Sequence, residues 1–346
     1  MKAIVKSAAG KGIEVQDIPV PTPGPNDVVV DVAAASLCGT DRELYEWTPA
    51  AQAFGLTLPV VLGHEGAGTV TQVGADVTDL APGDRVALES HLACGRCYPC
   101  RTGNAHTCDN TKILGMHFDG VFAETVAVPR EICVRLPDSV SLETGALLES
   151  AGVGVHAIQR TGHAVAGRTV LVNGCGPIGL VIIQLSMLMG AAHVVAVEPN
   201  PFRRQLAEEL GARAIPPTAE LPQLCRELTG ARGGFDVAFE VSGVNGVLSG
   251  LFESLRREAT LVTIGHPGVQ PTVDVAAYIN KKGITWRGIF GRRLWDTWED
   301  LLLLIDSGRL NLDWLVTHRL SLDSAEEAIG LLTGDANKVL LVPGLR

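Results

Sequence analysis

The 346-residue sequence has no uninterrupted apolar run close to the roughly 18–20 residues that a membrane-spanning helix requires. This absence excludes a helical membrane protein and favours a soluble chain with a well-packed interior. The N-terminus also lacks the long apolar segment and small-residue cleavage site of a secretion signal. We therefore expect a cytoplasmic protein that has no membrane partner.

Positive charge is also scarce. The sequence contains 28 lysines and arginines against 38 aspartates and glutamates, which gives a net charge of −10 at pH 7. A negatively charged protein is repelled at long range by the phosphates of nucleic acids and by anionic membrane surfaces. The charge balance therefore predicts that nucleic acid is not a partner.

Four of the eight cysteines lie within one short segment, at Cys94, Cys97, Cys100 and Cys108. A cytosolic chain of this length does not need disulfides, and the polar, turn-forming residues between these cysteines are not typical of a core. Four thiolates at such short spacings can surround one zinc ion tetrahedrally and leave no position for a substrate. The segment at about 90–110 is therefore predicted to be a structural zinc lobe.

The pattern of apolar runs predicts two domains. Residues 1–152 contain short valine-rich runs separated by proline and glycine turns, which indicates a mostly-β region. From about residue 153, apolar strands alternate with helical patterns, which is typical of a doubly wound parallel sheet of the α/β class. The tail contains an amphipathic helix near 295–307 and further strand-like runs. We assign it to the first domain, so the predicted domains are 1–152 with 294–346, and 153–293.

A glycine-rich turn follows the first strand of the second predicted domain. It has the spacing G-x-G-x-x-G and consists of Gly174, Cys175, Gly176, Pro177, Ile178 and Gly179. The missing side chains let the backbone turn tightly and approach a pyrophosphate, whose charge is favoured by the N-terminus of the following helix. Taken alone, such a turn can serve packing only. Its position between a strand and a helix favours dinucleotide binding.

Glu198 ends the next predicted strand, near the offset of about 20 residues at which a ribose-binding acid is expected. A carboxylate there accepts hydrogen bonds from the 2′-hydroxyl of NAD and repels the 2′-phosphate of NADP. Arg203 and Arg204 lie nearby and oppose this preference, and we include Arg203 among the cofactor-binding residues. The alternative is that Glu198 is an exposed charge at a strand end. NAD is the predicted cofactor.

Three scattered residues, Cys38, His64 and Glu149, are informative only through their neighbours, because a lone cysteine or histidine is more often structural than a ligand. The run Gly63-His64-Glu65-x2-Gly68-x5-Gly74-x2-Val77 matches the zinc signature of the zinc-containing medium-chain alcohol dehydrogenases. The four-cysteine segment and the glycine motif follow in the order of that family. The chain resembles this family over essentially its whole length.

The resemblance implies a GroES-like catalytic domain, a Rossmann cofactor domain and a homotetramer. It also implies a catalytic zinc ion held by Cys38, His64 and Glu149, with Glu65 as an occasional fourth ligand. Three ligands of mixed type leave a coordination position open for a small polar alcohol. In the implied reaction, a proton leaves through Thr40 and the cofactor ribose while hydride passes to the nicotinamide. The alternative for Thr40 is a hydroxyl that satisfies local backbone groups.

Within the family, four segments resemble L-threonine 3-dehydrogenases: 90–95, 288–292, 295–298 and 317–319. This resemblance implies that the substrate is L-threonine or a related β-hydroxy-α-amino compound. The chain departs from that subgroup at Glu43, where the subgroup has a histidine, and at residues 149–153. Glu43 is either an outer proton acceptor or a solvated charge. His91 either contacts the substrate or braces the zinc lobe.

Two other functions stay open from the sequence. The first is a polyol or sugar-alcohol dehydrogenase, because related enzymes use the same zinc ligands for vicinal hydroxyls. The second is a non-catalytic zinc-binding or nucleotide-binding protein. The presence of Cys38, His64 and Glu149 together argues against the second.

Overall fold

The computed structural model describes residues 1–218 and 221–345. Its strands are β1 (Lys2–Lys6), β2 (Glu14–Asp17), β3 (Asp27–Ser36), β4 (Val60–Val61), β5 (Gly66–Val73), β6 (Arg85–Leu88), β7 (His91–Leu92), β8 (Lys112–Ile113), β9 (Thr125–Pro129), β10 (Cys133–Arg135), β11 (Thr169–Asn173), β12 (His193–Val197), β13 (Arg213–Ile215), β14 (Phe235–Glu240), β15 (Leu255–Thr263), β16 (Thr285–Gly288), β17 (Val316–Leu320) and β18 (Lys338–Leu341).

The α-helices are α1 (Gly39–Glu46), α2 (Pro49–Ala53), α3 (Tyr98–Arg101), α4 (Leu142–Arg160), α5 (Pro177–Leu188), α6 (Pro201–Glu209), α7 (Leu221–Thr229), α8 (Val247–Ser254), α9 (Asp296–Asp306) and α10 (Ala325–Leu331). Short 3₁₀ turns and one π-helical segment, Val275–Asn280, complete the regular structure of the described residues. Across residues 1–218 and 221–345, no helix is both long enough and apolar enough to cross a bilayer.

The chain separates into two compact units, Met1–Ser150 with Arg293–Arg346, and Ala151–Arg292. The first unit contains a seven-stranded sheet in the order β10-β6-β5-β3-β18-β17, with β9 also paired to β3. The C-terminal strand β18 pairs antiparallel with β3, so that Leu340 lies opposite Ser36. This pairing brings the tail of the chain beside the residues that lead into α1.

The core of the first unit contains valines that alternate along paired strands, among them Val28, Val30 and Val126. β3 and β5 approach closely at Gly68, where a Cβ atom would lie 2.0 Å from the carbonyl oxygen of Asp31. A side chain at this position would separate the two strands, which explains the glycine. The packed sheet thus provides a rigid base for the turns that follow its strands.

The second unit contains a six-stranded parallel sheet in the order β13-β12-β11-β14-β15-β16. The order runs outward in both directions from β11, as in a doubly wound fold. In such sheets, ligands bind at the carboxyl ends of the strands near the point where the order reverses. The glycine-rich turn follows β11 at this point.

Candidate metal and cofactor sites

Cys38 stands at the N-terminus of α1, where backbone contacts fix its side chain. The Thr40 N–H donates to Cys38 Sγ at 3.3 Å, and the Cys38 N–H donates to Asp41 Oδ2 at 2.8 Å. This reciprocal capping satisfies N–H groups that the helix cannot satisfy itself. The thiol is therefore held in one position just after β3.

His64 lies beside Cys38, with 3.1 Å between Nε2 and Sγ. His64 comes shortly after β4 and directly after Gly63. Gly63 has φ +94°, and a Cβ atom there would lie 2.4 Å from the ring of Phe122. Glycine is needed there both for the positive φ and for the close packing. His64 Nδ1 is 3.5 Å from Asp41 Oδ1, so the imidazole lies between a thiol and a carboxylate.

The surroundings of His64 favour positive charge. His64 is 6% exposed and Asp41 is fully buried. Burial alone lowers the pKa of His64, but the negative charges of Cys38 and Asp41 raise that pKa well above its ordinary value. A site that stabilises a proton on the imidazole also stabilises a divalent cation bound by the same nitrogen. Asp41 is placed to hold the ring through its other nitrogen.

Glu65 forms a group with Cys38 and His64, because one ligand atom from each lies within 4.8 Å of the others. Glu65 is 1% exposed, and its Oε2 accepts a hydrogen bond from Lys338 Nζ, which is also 1% exposed. Lys338 donates as well to the carbonyl oxygen of Leu37 at 3.4 Å. The buried ammonium is thereby paired, as burial requires. Sulfur, nitrogen and oxygen donors in one small group fit zinc.

Glu149 lies in the interior of α4 and, among the described residues, outside the group of Cys38, His64 and Glu65. Its Oε1 accepts a hydrogen bond from Ser90 Oγ at 2.6 Å, and both side chains are buried. The assignment of Glu149 as a zinc ligand therefore stays a prediction.

Thr40 and Glu43 both lie in α1, three residues apart, so their side chains are neighbours on the helix surface. Both are partly exposed. His91 is buried at the start of β7, and its backbone N–H donates to Glu89 Oε1 at 2.8 Å. The catalytic roles of these three residues stay predictions.

The four cysteines of the predicted lobe lie together between β7 and β8, with all four sulfur atoms within 4.8 Å of one another. Cys97 Sγ is 3.4 Å from Cys100 Sγ and 3.7 Å from Cys108 Sγ. Four sulfurs around one zinc ion would be separated by roughly 3.8 Å, whereas a disulfide requires about 2.05 Å. The sulfur spacing fits a tetrahedral zinc site and excludes disulfides among these residues.

The thiols of this lobe differ in acidity. The backbone N–H groups of Arg96 and Cys97 lower the pKa of Cys94 to about 6. The N–H of Cys100 lowers the pKa of Cys97, whereas burial raises the pKa of Cys100 to about 12. Backbone dipoles thus stabilise thiolates at two of the four positions, and thiolates are the form that binds zinc.

The glycine-rich turn connects β11 to α5. Gly174 has φ +102°, and Pro177 occupies the first turn of α5, where its missing N–H costs nothing. A Cβ atom at Gly179 would lie 1.9 Å from the carbonyl oxygen of Gly174, so helix and turn can pack closely only without a side chain. A Cβ atom at Gly176, the residue before α5, would meet no heavy atom beyond its chain neighbours within 4 Å, so there is open space beside this residue. This geometry suits a pyrophosphate.

Glu198 is 5% exposed at the end of β12, which excludes the alternative of an exposed strand-end charge. Its Oε2 accepts the N–H of Cys175 at 2.8 Å, and its Oε1 accepts the N–H of Asn200 at 2.9 Å. Each carboxylate oxygen can accept a further hydrogen bond. Glu198 therefore braces the glycine-rich turn and still has acceptor capacity for a ribose hydroxyl.

Two family models match the chain, the alcohol dehydrogenase GroES-like domain over residues 24–138 and the zinc-binding dehydrogenase over residues 177–307. The L-threonine 3-dehydrogenase of Symbiobacterium thermophilum is 40% identical over 100% of this chain and 99% of its own length. The chain belongs to the zinc-binding alcohol dehydrogenases. It is therefore an enzyme that acts on an alcohol, and the non-catalytic alternative is wrong.

Solved structures of related proteins confirm the predicted fold class of this dehydrogenase. The 2R,3R-butanediol dehydrogenase of Bacillus subtilis is 34% identical, with a TM-score of 0.89 and 99% of each chain covered. A zinc-binding dehydrogenase of Sinorhizobium meliloti, bound to NADP, is 32% identical, with a TM-score of 0.87 and 99% of each chain covered.

Two buried charges of this dehydrogenase, Lys338 and Glu89, were not predicted from the sequence. Lys338, the partner of Glu65, begins an apolar strand, and Glu89 follows one. Glu89 Oε2 accepts a hydrogen bond from Trp298 Nε1 at 2.6 Å. The available signal was a charged residue next to an apolar run, which suggests burial but does not identify a partner.

Proposed function

We propose that this dehydrogenase oxidises the β-hydroxyl of L-threonine, or of a related β-hydroxy-α-amino compound, with catalytic zinc and with NAD as the hydride acceptor. The observation that carries the proposal is the group of Cys38, His64 and Glu65. One sulfur, one nitrogen and one oxygen atom of this group lie within 4.8 Å of one another. The substrate class is supported by the resemblance of residues 288–298 and 317–319 to threonine dehydrogenases, and by the 40% identical relative.

In the proposed site, Cys38, His64 and Glu149 would hold the catalytic ion, and Glu65 would serve as an exchangeable ligand. Bound zinc supplies Lewis acidity that lowers the pKa of the substrate hydroxyl, and bound NAD supplies the hydride acceptor. Asp41, 3.5 Å from His64, orients the imidazole.

Thr40 is proposed to relay the proton: its hydroxyl accepts the proton that leaves the substrate hydroxyl and passes its own proton on through the cofactor ribose. Glu43 follows three residues later on the same helix, within reach as an outer acceptor. Its negative charge also favours a substrate that carries an ammonium group and disfavours a hydroxy acid. Amino alcohols and β-hydroxy amino acids therefore rank ahead of hydroxy acids.

A polyol or diol is the second candidate substrate, supported by the similarity to the 2R,3R-butanediol dehydrogenase. The two candidates are separated by NADH formation from L-threonine and from a polyol, measured with the zinc-loaded protein. NADH from the polyol but none from L-threonine or from amino alcohols would contradict the threonine proposal.

Replacing Glu198 with glutamine is expected to reduce the preference for NAD over NADP by about 10- to 100-fold. An amide loses a charge-assisted hydrogen bond to the 2′-hydroxyl, which contributes about 1.5–3 kcal/mol, and no longer repels a 2′-phosphate. The measurement is the ratio of kcat/KM values for the two cofactors. Glu209→Gln, at an exposed position of α6, is the matched control and should leave this ratio unchanged. Equal kcat/KM for NAD and NADP in the unmodified enzyme would contradict the assignment.

We further propose that the enzyme is a cytoplasmic homotetramer. Both statements rest on the family resemblance and on the composition of the chain.

A further inference from the structure

Three consecutive polar residues, Glu89, Ser90 and His91, lie buried between β6 and the start of β7. They are 0%, 1% and 6% exposed, respectively. The segment is held by its backbone, because the Glu89 N–H donates to the carbonyl of Ile132 at 2.8 Å and the Leu114 N–H donates to the carbonyl of Ser90 at 2.9 Å. Burying three polar side chains in a row is costly unless each has a partner.

Glu89 is fixed from two directions. Its Oε2 accepts the indole N–H of Trp298 at 2.6 Å, and its Oε1 accepts the backbone N–H of His91 at 2.8 Å. Trp298 belongs to α9 and is 2% exposed. Hydrogen bonds to an ionised acceptor are stronger than neutral ones, especially where water is excluded. Glu89 therefore ties this segment to α9.

Ser90 contacts a different element. Its Oγ donates to Glu149 Oε1, on α4, at 2.6 Å, and both groups are buried. A carboxylate that accepts a hydrogen bond from a hydroxyl on one oxygen keeps acceptor capacity on the other. Carboxylates that bind metals are commonly oriented by hydrogen bonds of this kind.

We infer that Ser90 is the positioning residue of Glu149, and that the pair of Glu89 and Trp298 holds Ser90 in place for this task. The inference rests on the proposed function in one respect, namely that Glu149 is a ligand of the catalytic zinc ion. The hydroxyl of Ser90 then fixes which oxygen of Glu149 faces the metal. Loss of this hydroxyl should weaken the hold on that ion alone.

The test measures zinc release from the holoenzyme to a chromogenic chelator, in which the catalytic and the cysteine-bound ions are followed as two phases. In Ser90→Ala, the fast phase should accelerate by about 10- to 100-fold, as other losses of residues that orient a metal ligand do. The slow phase, from the four cysteines, should be unchanged. General destabilisation would accelerate both phases, so the slow phase is an internal reference.

Trp298→Phe keeps the aromatic ring but removes the N–H that Glu89 accepts, and should accelerate the fast phase less than Ser90→Ala does. Trp314→Phe is its control, because the indole of Trp314 donates to the carbonyl of Asn311 at 2.8 Å and not to Glu89. Ser186→Ala removes a buried hydroxyl from α5 of the other unit and is the control for Ser90. Both controls should release zinc like the unmodified enzyme.

Glu149→Gln distinguishes whether Glu149 binds the zinc ion from whether Ser90 positions Glu149. If this variant releases zinc like the unmodified enzyme, Glu149 is not a ligand and the proposed ligand set is wrong. If it accelerates the fast phase while Ser90→Ala and Trp298→Phe do not, the ligand set stands and the positioning role of Ser90 is overturned. Acceleration of the fast phase in all three variants, with an unchanged slow phase, supports the inference.

Discussion

His64→Asn is expected to lower kcat by about 1000-fold or more while the chain still folds. His64 Nε2 lies 3.1 Å from Cys38 Sγ and is the nitrogen available to a metal in that group. Asparagine is shorter and cannot both bind an ion there and contact Asp41. Lewis-acid stabilisation by zinc contributes several kcal/mol, and about 4 kcal/mol corresponds to about three orders of magnitude in rate.

The measurement is steady-state NADH formation combined with zinc analysis, which should fall from two ions per chain to one. His117→Asn is the matched control, because His117 is a partly buried imidazole of the same unit. Its Nδ1 accepts the Ile113 N–H at 2.9 Å, and its Nε2 lies 3.1 Å from the Phe54 carbonyl oxygen. It should keep both ions and most of the activity. Near-normal turnover in His64→Asn would contradict the assignment of the catalytic site.

Cys97→Ser is expected to open the zinc lobe. Cys97 Sγ is within 3.7 Å of two other cysteine sulfurs, so its loss leaves three ligands for an ion that needs four. Structural zinc binding contributes about 10–16 kcal/mol in small zinc domains. We expect the removal of one of the four ligands to cost about 4 kcal/mol of this binding free energy. Cleavage that follows the open population would then accelerate by about 1000-fold.

Trypsin provides the measurement, because Arg96 and Arg101 are exposed within the lobe. Cys97→Ser should be cut at these arginines and should carry one zinc ion fewer. Cys133→Ser, at a buried cysteine of β10 outside the lobe, should keep the zinc and the resistance to trypsin. A Cys97→Ser protein with two zinc ions and an intact lobe would show that the four cysteines do not form a metal site.

Local patterns in the sequence predicted local structure well. The apolar run at 169–172 is part of β11, and the amphipathic segment near 295–307 contains α9, Asp296–Asp306. The four cysteines are brought together over only 15 residues, by turns that their own glycines and prolines favour. In these cases the spacing of residues along the chain is sufficient to predict the local geometry.

Contacts between distant segments could not be predicted in the same way. Lys338 meets Glu65 because β18 pairs with β3, and nothing in either segment specifies that register. Trp298 and Glu89 are 209 residues apart, and a buried indole donor is not distinguished in the sequence from an ordinary core tryptophan. The family resemblance implied Cys38, His64 and Glu149 as zinc ligands, with Glu65 as an occasional fourth, and this set stays a prediction. The contacts that hold these side chains depend on tertiary pairing.

The proposed oxidation of L-threonine is tested most directly by measuring NADH formation by the purified, zinc-loaded enzyme. L-Threonine and a pentitol are compared at matched concentrations. We predict that kcat/KM for L-threonine exceeds that for the pentitol by at least about 100-fold, because a site built to bind an ammonium group rejects a substrate that lacks one. The His64→Asn variant should lower the rate of NADH formation from L-threonine by about 1000-fold or more. NADH formation from the pentitol, with none from L-threonine or from related amino alcohols, would contradict the proposed function.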